Sequence, residues 1–325
     1  MSMIPRNHWI IGSKGVYHGT IGGSWTRIGA QEYGISSLIL EPDRLLAGAS
    51  WGSGLWEWPN GAGQALQAGQ SGQADEAGPP DQAAQITRSD RPDQADQAVR
   101  WKQLHDETLT EVMAIASIAG TPGVVAGSPY GIATGRLDDT GAARWTHHSD
   151  TLRVNERFTN AILVHPDKPT AWLIGSEGGV LIADESGASW RRTSLSGTAV
   201  RALAYIHGQF WAGTDDCGIW RSEDGIHWDS AGHTPDGGAV FELTPAGDDI
   251  IAATEHGAAV GDGSGHWLRR GPRHLCAAVA CHPGSTTTWL AGATPGGLWY
   301  TEDGGHTWQQ IQGFVNVRAI IAPEA

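Results

Sequence analysis

Ionisable and aromatic residues of the kinds that bind polar ligands occur in several predicted loops in the middle of the chain. These loops carry Tyr130, Arg153, Arg157, Glu177, Asp215, Asp216 and His256. Two carboxylates facing each other across a pocket, with a tyrosine and a histidine nearby, could carry out acid–base chemistry. The same residues could also hold a polar ligand through charge-assisted hydrogen bonds, or form a solvated rim, since charged loop residues are usually solvated.

Three charged residues lie inside predicted innermost strands, among apolar neighbours. They are Arg201, Glu242 and Arg318. A buried charge must be paired, whatever its purpose. The three side chains could therefore form the floor of a ligand site in a central channel, or bond to each other as a structural network, and the sequence leaves both alternatives open.

The elements that must position these residues are short strands that recur along the chain. The phrase GLWYTEDGGHTW ends at Trp308, and weaker copies end at Trp145, Trp190, Trp228 and Trp267. The spacing is about 40 residues, which is typical of β-propeller repeats. Between these phrases run segments of about 4–8 apolar, β-branched and aromatic residues bounded by Gly, Pro and Asp, which is the pattern of β-strands.

The repeated phrase also has a recognisable internal pattern. Asp224 and Asp303 each follow a Ser or Thr by two residues and precede a Gly and a Trp, and Asp262 keeps the acid without that hydroxyl residue. These phrases resemble the BNR repeat, or Asp-box, of sialidase-like β-propellers. The resemblance implies that the aspartate bonds N–H groups of its own turn and that the tryptophan fills the space beside the next blade. The implied structural residues are Asp224, Asp262, Asp303, Trp190, Trp228, Trp267 and Trp308.

The resemblance does not extend to sialidases as enzymes. Members of that family carry an arginine triad and an Arg-Ile-Pro motif near the N-terminus, on six blades. Here the nearest string is Ile4-Pro5-Arg6, in a different order. No sialidase residue is therefore carried over, and the motif indicates fold rather than function.

The strand patterns predict an all-β protein, a single domain over residues 1–325 made of seven four-stranded antiparallel blades. The first blade has no inner strand at the N-terminus, and the matching apolar segment lies at the other end, in residues 314–323. We expect this segment to pair with the N-terminal strands and close the ring, because closure leaves no free sheet edge.

Residues 60–100 interrupt the repeat within the second blade. Gln, Ala, Gly, Asp and Pro dominate this segment, which has almost no large apolar residue. Such a composition buries too little surface to offset the entropy of ordering. We interpret the segment as a flexible low-complexity insertion, with a partner-docking arm as the alternative.

The overall charge limits the classes of partner. The formal net charge is −14, which argues against nucleic acid and anionic membranes, because both attract basic surfaces. Three cysteines, Cys217, Cys276 and Cys281, form no disulfide framework, and the start of the sequence lacks signal-peptide features, so we expect a cytoplasmic protein. The sequence contains neither an HExxH nor a CxxC motif, and we predict no metal and no cofactor.

These observations predict a binding or assembly module. Propellers of the resembled type place ligands at the channel mouth, on the face opposite the Asp-box turns. We expect a small molecule, a carbohydrate or a protein to bind there, while the oligomeric state stays open. The alternative function is a hydrolase or lyase, similar to a glycoside hydrolase, that acts on a sugar or small metabolite in the same place.

Overall fold

A computed structural model describes residues 4–59, 101–118, 123–137 and 143–324. The predicted insertion over residues 60–100 lies outside them. The all-β prediction is confirmed, since strands dominate the described chain. In chain order the strands are β1 (Trp9–Gly19), β2 (Trp25–Leu40), β3 (Arg44–Ala49), β4 (Gly54–Pro59), β5 (Lys102–Gln103), β6 (Ala114–Ser117), β7 (Val124–Ser128), β8 (Gly131–Leu137), β9 (Ala143–His147), β10 (Thr159–His165), β11 (Lys168–Ser176), β12 (Gly179–Asp184), β13 (Ser189–Ser196), β14 (Val200–Ile206), β15 (Gln209–Thr214), β16 (Ile219–Ser222), β17 (Asp229–Ser230), β18 (Val240–Ala246), β19 (Asp249–Thr254), β20 (Gly257–Gly261), β21 (Trp267–Arg269), β22 (Cys276–His282), β23 (Ser285–Ala293), β24 (Gly297–Thr301), β25 (Gln309–Ile311) and β26 (Ala319–Ile321).

The strands form six antiparallel sheets. The first sheet has six strands in the order β26-β1-β2-β3-β4-β5, and five further sheets have four strands each. We number those five in chain order: the second sheet is β6–β9, the third β10–β13, the fourth β14–β17, the fifth β18–β21 and the sixth β22–β25. This arrangement of four-stranded antiparallel meanders is propeller-like.

Burial explains why the second strand of each sheet is so apolar. Strand β3 is buried along its whole length, and the last five or six residues of β11, β15, β19 and β23 are buried as well. These strands are covered on both faces by neighbouring sheets, which requires near-continuous apolar runs rather than alternation. One cluster, for example, joins Trp211 and Ile219 of the fourth sheet to Ile250 and Trp267 of the fifth.

Several innermost strands have a β-bulge at the same position. In five of them the pairing with the second strand skips one residue near the start. The skipped residues are Ser36, Asn160, Arg201, Phe241 and Ala277. Such a β-bulge redirects the side chain of the extra residue. The bulges therefore set which side chains leave the sheet at one end of the inner strands.

The first sheet differs from its predicted form. We predicted separate second and third strands in the first blade, but β1 runs without a break through Lys14 and Gly15, where Gly15 has a φ of 98°. This turn is one residue shorter than the corresponding turn of the third sheet, which has the sequence SEGG. It is therefore too short to interrupt the extended backbone of the strand. Similarly, β2 spans the last strand of one predicted blade and the first of the next.

The C-terminal segment pairs with the N-terminal strand. Ile10, Ile11 and Gly12 of β1 lie opposite residues 321, 320 and 319 of β26. The innermost strands also contact one another in sequence, from β26 to β2, β6, β10, β14, β18 and β22, and β22 contacts β26 again.

Tryptophans at the start of the outer strands connect neighbouring sheets. The indole N–H of Trp190 donates to the carbonyl of His148 at 3.1 Å, and that of Trp267 donates to Ala231 at 2.9 Å. Trp101, Trp145 and Trp308 make the same bond to Ile28, Leu104 and Arg270. The bonds of Trp145, Trp190, Trp267 and Trp308 reach the preceding sheet, and that of Trp101 reaches β2 within the first sheet. We had expected the tryptophans to lie beside the next blade. The indole N–H of Trp25 has no hydrogen-bond partner among the described residues.

Helical structure is confined to short pieces in the described chain. The helix α1 (Val154–Arg157) lies in the linker between the second and third sheets, and a 3₁₀ turn spans Glu185–Gly187. No helix within the described ranges has the length and apolar character needed to cross a membrane.

Candidate functional site

The antiparallel meanders place their loops on two faces. The loops between second and third strands share one end with the linkers between sheets, and we call this end the linker face. The turns that carry Asp224, Asp262 and Asp303 follow third strands and lie at the other end, which we call the Asp-box face. The predicted ligand residues in loops therefore lie on the linker face, although their role in binding stays a prediction.

Arg201 organises a polar cluster on the linker face. Its Nε and Nη2 donate to the two carboxylate oxygens of Asp215, each at 2.6 Å. Its Nη1 donates to Oε1 of Glu177 at 2.7 Å and to Oδ1 of Asn160 at 3.0 Å. Asn160 in turn donates to Glu177 at 3.2 Å. The cluster therefore joins the third and fourth sheets and leaves every nitrogen of the guanidinium bonded.

Asn160 is the member that the sequence analysis missed. It occupies the bulge of β10, the position that Arg201 occupies in β14. Aligning FTNAILV with AVRALAY would have placed the two residues at equivalent positions. Because both bulges redirect their side chains toward the same end of neighbouring strands, the amide and the guanidinium meet.

The carboxylates around Arg201 stabilise the charged form of its guanidinium group. The hydrogen bonds and charge of Asp215, with the charge of Glu177, raise the pKa of Arg201 above its ordinary value despite partial burial. One guanidinium faces two carboxylates, so the cluster has a net negative charge. Paired in this way, the carboxylates of Glu177 and Asp215 are held in fixed positions by Arg201.

Glu242 is placed apart from this cluster. Part of the surface of Glu242 is accessible to solvent, but protein atoms surround its carboxyl group. A side chain between closely spaced inner strands is expected to have such surroundings. Its Oε2 accepts the N–H of Val279, on the next inner strand, at 2.8 Å. Burial raises the pKa of Glu242 to about 8, and the bond from Val279 offsets this only in part. In the other inner strands Ala or Ser occupies the corresponding position, including Ala202 and Ala278.

Arg318 does not take part in a network with Arg201 and Glu242, while its predicted place in the floor of a ligand site stays a prediction. It precedes β26 and is exposed, and its backbone N–H donates to the carbonyl of Gly12 at 3.0 Å. Among the described residues no ion pair joins Arg318, Arg201 and Glu242 to each other. The three residues are thus separate, because each inner strand directs its charged residue to different partners.

The linker between the second and third sheets is anchored by a buried acid. Glu156 of α1 binds Arg192 on β13 through two bonds, of 2.7 and 2.8 Å, and accepts the N–H of Arg153 at 2.8 Å. The bonds from Arg192 outweigh burial and lower the pKa of Glu156. Arg153 itself is exposed, and Nε of Arg157 donates to the carbonyl of Leu152 at 3.2 Å. Sequence reasoning included Arg153 and Arg157 but missed the Glu156–Arg192 pair.

The remaining predicted residues lie on the linker face as separate groups. Asp216 is exposed and accepts the hydroxyl of Thr198 at 2.9 Å, which lowers the pKa of Asp216. His256 is exposed in the β19–β20 loop, and its N–H donates to Thr254 at 3.1 Å. Tyr130 is 72% exposed in the β7–β8 loop. The structure therefore brings together Glu177, Arg201 and Asp215 but not Tyr130, Asp216 or His256.

Large apolar side chains are also exposed on this face. Trp51 is 84% exposed in the β3–β4 loop and has a φ of 61°, which is rare for a residue other than glycine. Val154 in α1 and Val315 in the linker before β26 are 86% and 70% exposed. Four of the six large hydrophobic residues that are exposed in the described chain thus lie on the linker face.

The Asp-box turns have the predicted local bonds. Asp224 Oδ1 accepts the N–H groups of Ile226 and His227, each at 2.8 Å, and Asp303 accepts the N–H of Thr307 at 2.9 Å. These bonds hold the pKa of Asp224 and of Asp303 well below the usual range, although burial opposes the shift. Both carboxylates are exposed.

The buried N–H groups of these turns bond to hydroxyl groups instead. Gly225 donates to Ser222 Oγ at 2.8 Å and Gly305 donates to Thr301 Oγ1 at 3.0 Å. Trp228 and Trp308 donate their indole N–H to the carbonyls of Gly225 and Gly305. In the described ranges, no three His, Cys, Asp or Glu side chains converge closely enough to hold a metal ion.

Comparison with known proteins gives information on the fold only. No family model and no curated protein matches the chain. Among solved structures, it is similar to a putative 6-phosphogluconolactonase from Bacteroides fragilis, with 12% identity, a TM-score of 0.63 and 97% of each chain covered. It is also similar to the computationally designed protein Ika8, with 17% identity, a TM-score of 0.58, and 98% of this chain and 88% of that chain covered.

A third solved structure is an extracellular domain of a putative hybrid two-component system from B. thetaiotaomicron. The identity is 13%, the TM-score is 0.58, and the match covers 98% of this chain but 37% of that chain. The chain therefore spans little more than a third of the length of that protein domain. At these identities the three likenesses show a shared fold and leave the activity of this chain open.

Proposed function

We propose that the described strands belong to one seven-bladed propeller whose ring is closed by the C-terminal strand. Two observations support this proposal: β26 pairs with β1, and the contacts between inner strands run through seven strands and return to β26. In this interpretation the six-stranded sheet holds two blades, which share the long strands β1 and β2. Deleting residues 314–325 should abolish the cooperative unfolding transition, because it removes an inner strand and opens a sheet edge. An unchanged transition would contradict closure.

We further propose that the chain is a BNR-type propeller and works in the cytoplasm. The bonds of Asp224 and Asp303 to their own turns support the first point. Three free thiols, Cys217, Cys276 and Cys281, support a reducing compartment.

The function that the geometry supports best is that of a protein-binding module whose partner docks on the linker face. One observation carries this proposal: the exposed apolar residues Trp51, Tyr130, Val154 and Val315 all lie on that face. Exposed aromatic residues of this kind anchor protein interfaces, where a few of them supply most of the binding energy. The positive φ of Trp51 strengthens the argument, because backbone strain at an exposed residue is typical of binding sites.

The charge of the chain indicates the chemistry of the partner. A net charge of −14 attracts a partner with a basic surface, and such attraction mainly accelerates association. The net negative Arg201 cluster lies on the same face and would meet that surface. We therefore expect the association rate to fall as the salt concentration rises.

Affinity capture followed by titration with the captured protein tests this function. The Trp51→Ala/Tyr130→Ala double variant should lose the partner, with binding weakened by about thirtyfold for each of the two residues, because hot-spot residues each contribute about 2 kcal/mol. Leu268→Ala is the matched control, since Leu268 is 57% exposed but lies on the outer strand β21. Equal binding by the wild type and the double variant would place the partner elsewhere.

Glu242 favours the second candidate function, a hydrolase or lyase acting on a sugar or small metabolite. With a pKa of about 8, this carboxyl group is protonated at neutral pH and could act as a general acid. Turnover of chromogenic glycosides by the wild type, and its loss in Glu242→Gln, would support this candidate. A wild type with no turnover, or a Glu242→Gln variant with full turnover, would count against it.

A further inference from the structure

A cleft in the described part of the chain lies on the Asp-box face, at the opposite end of the sheets from the residues predicted to contact a ligand. It has a volume of about 340 Å³ and lies where the end of the sixth sheet meets β1 and the β1–β2 turn. We call this place the seam cleft. Its lining residues are Asn7, Trp9, Thr20, Ile21, His282, Ser285, Thr288 and Glu302.

The seam cleft lies at a junction that lacks a cross-sheet indole bond. At four other junctions between sheets an outer-strand tryptophan donates to the preceding sheet, as Trp267 does to Ala231. Here the corresponding residue is Trp25, whose indole N–H has no partner among the described residues. This junction therefore has one cross-sheet hydrogen bond fewer than those four among the described residues.

The polar groups of the seam cleft suit hydroxyl groups. Nδ1 of His282 accepts the N–H of Gly284 at 3.0 Å, so Nε2 carries the hydrogen of the neutral ring and can donate it to a ligand. Ser285 Oγ shares hydrogen bonds with the hydroxyl groups of Thr288 at 2.8 Å and Thr287 at 3.3 Å, so these hydroxyls form a polar edge of the cleft. Asn7 adds an amide that both donates and accepts.

The charge of the seam cleft disfavours anions. Glu302 is exposed, and among the described residues no basic side chain forms an ion pair with it. The nearest acidic neighbour in the chain, Asp303, uses both oxygens on Thr301 and Thr307. A carboxylate with free lone pairs accepts hydrogen bonds from a vicinal diol or from an ammonium group and repels another carboxylate.

We propose that the seam cleft binds a small polyhydroxylated ligand that carries a positive charge or none, of the size of one sugar ring. The half-buried Ile21 would cover the C–H face of such a ring, while Glu302, His282 and Ser285 would bond its hydroxyl groups. The volume lies at the lower end of the range for small-molecule sites.

A second place in the chain provides a matched control. His282 contacts Trp9 with a ring-centroid distance of 5.9 Å, and His165 contacts Phe210 in the same way at 5.2 Å. Both histidines are followed by proline at the end of a first strand. The His165 position has Lys168 nearby, which contributes a positive charge. His165 does not line the seam cleft. Replacing it therefore tests the effect of losing a histidine–aromatic contact alone.

The experiment uses D-glucosamine, D-glucose and D-glucuronate as cationic, neutral and anionic probes of one ring size. Calorimetry and ligand-observed NMR on the full chain should show binding in the order glucosamine, glucose, glucuronate. Glu302→Gln should bring glucosamine within about threefold of glucose, and His282→Phe should weaken both by about tenfold. His165→Phe should leave all three affinities unchanged.

Three outcomes would overturn the proposal. They are the absence of saturable binding, equal affinity for all three probes, and insensitivity to Glu302→Gln, since each would mean adventitious contact only. Thermal melting checks the fold of His282→Phe, and Glu302→Gln changes only an exposed turn residue. The linker-face variants Trp51→Ala and Tyr130→Ala should not alter sugar binding, so this proposal and the proposed function fail independently.

Discussion

Arg201 holds Asp215 through two parallel hydrogen bonds of 2.6 Å, from Nε to Oδ1 and from Nη2 to Oδ2. The same guanidinium reaches Glu177 on the neighbouring sheet at 2.7 Å. One side chain thereby links two blades at the end where their inner strands bulge. A bidentate bond of this kind fixes geometry as well as adding energy.

The first prediction concerns this link. Arg201→Gln should lower the free energy of unfolding by about 1–2 kcal/mol, because two half-exposed carboxylates lose their shared cation but keep part of their hydration. Urea unfolding measures the loss. Arg191→Gln is the control, since the Arg191–Asp184 pair lies on the exposed surface, where such pairs contribute about 0–1 kcal/mol. Equal losses would show that the Arg201 link has no special role in stability.

The second prediction compares two residues of one Asp-box. Thr301 is buried and accepts the buried N–H of Gly305, whereas Asp303 is exposed. Thr301→Val removes that acceptor without changing shape and should lower the free energy of unfolding by about 1–3 kcal/mol. Asp303→Asn keeps an acceptor oxygen and should cost less. Chemical denaturation of both variants checks the order, and the reverse order would place the main stabilisation in the carboxylate.

The third prediction concerns the pH dependence of stability. The folded protein binds the proton of Glu242 with a pKa of about 8, against an ordinary value of 4.5. Between these values the folded state holds a proton that the unfolded state has lost. The stability should therefore fall as the pH rises, by about 1.4 kcal/mol for each pH unit.

Glu242→Gln should remove this slope, because the amide keeps an acceptor for the N–H of Val279 and carries no charge. The variant should be more stable than the wild type at pH 8 and nearly equal to it below pH 4.5. Urea unfolding across this range measures the difference. Glu223→Gln, at an exposed site, serves as the control, and a wild-type slope that persists in Glu242→Gln would assign it to other groups.

The fourth prediction concerns the indole bonds between sheets. Trp267 is buried and donates to the carbonyl of Ala231 at 2.9 Å. Trp267→Phe removes the donor and leaves a small cavity, so the free energy of unfolding should fall by about 1–3 kcal/mol. Thermal denaturation compares it with Trp51→Phe at an exposed site, where the effect should be close to zero. If both variants melt alike, packing rather than the bond holds the sheets together.

Local patterns predicted the strands well because each strand is bounded by turn residues and repeats at a steady spacing. The bonds of Asp224 and Asp303 followed from the same phrases. The merged strand β1 was not predicted, since a turn of two residues at Lys14 and Gly15 leaves the extended backbone unbroken. The direction in which the tryptophans reach was predicted wrongly, because strand pattern carries no information on which neighbouring sheet lies on which side.

The candidate site was harder to predict than the fold. Arg201, Glu177 and Asp215 were all named from the sequence, but their mutual bonds depend on bulges that bring residues of two sheets together. Asn160 was missed because a neutral amide among apolar residues gives a weak signal. Glu242 was expected to have a charged partner, yet burial and one backbone N–H define its surroundings.

The backward reach of the indole groups has a consequence for the order of folding during synthesis. Trp145, Trp190, Trp267 and Trp308 each find their acceptor in a sheet that the ribosome has already produced, and Trp101 finds its acceptor in an earlier strand. Growth of the structure can thus proceed from the N-terminus, one sheet after another. Strand β1 by contrast pairs with residues 319–321, about 300 residues later in the chain. Its edge therefore stays unpaired until those residues have been made.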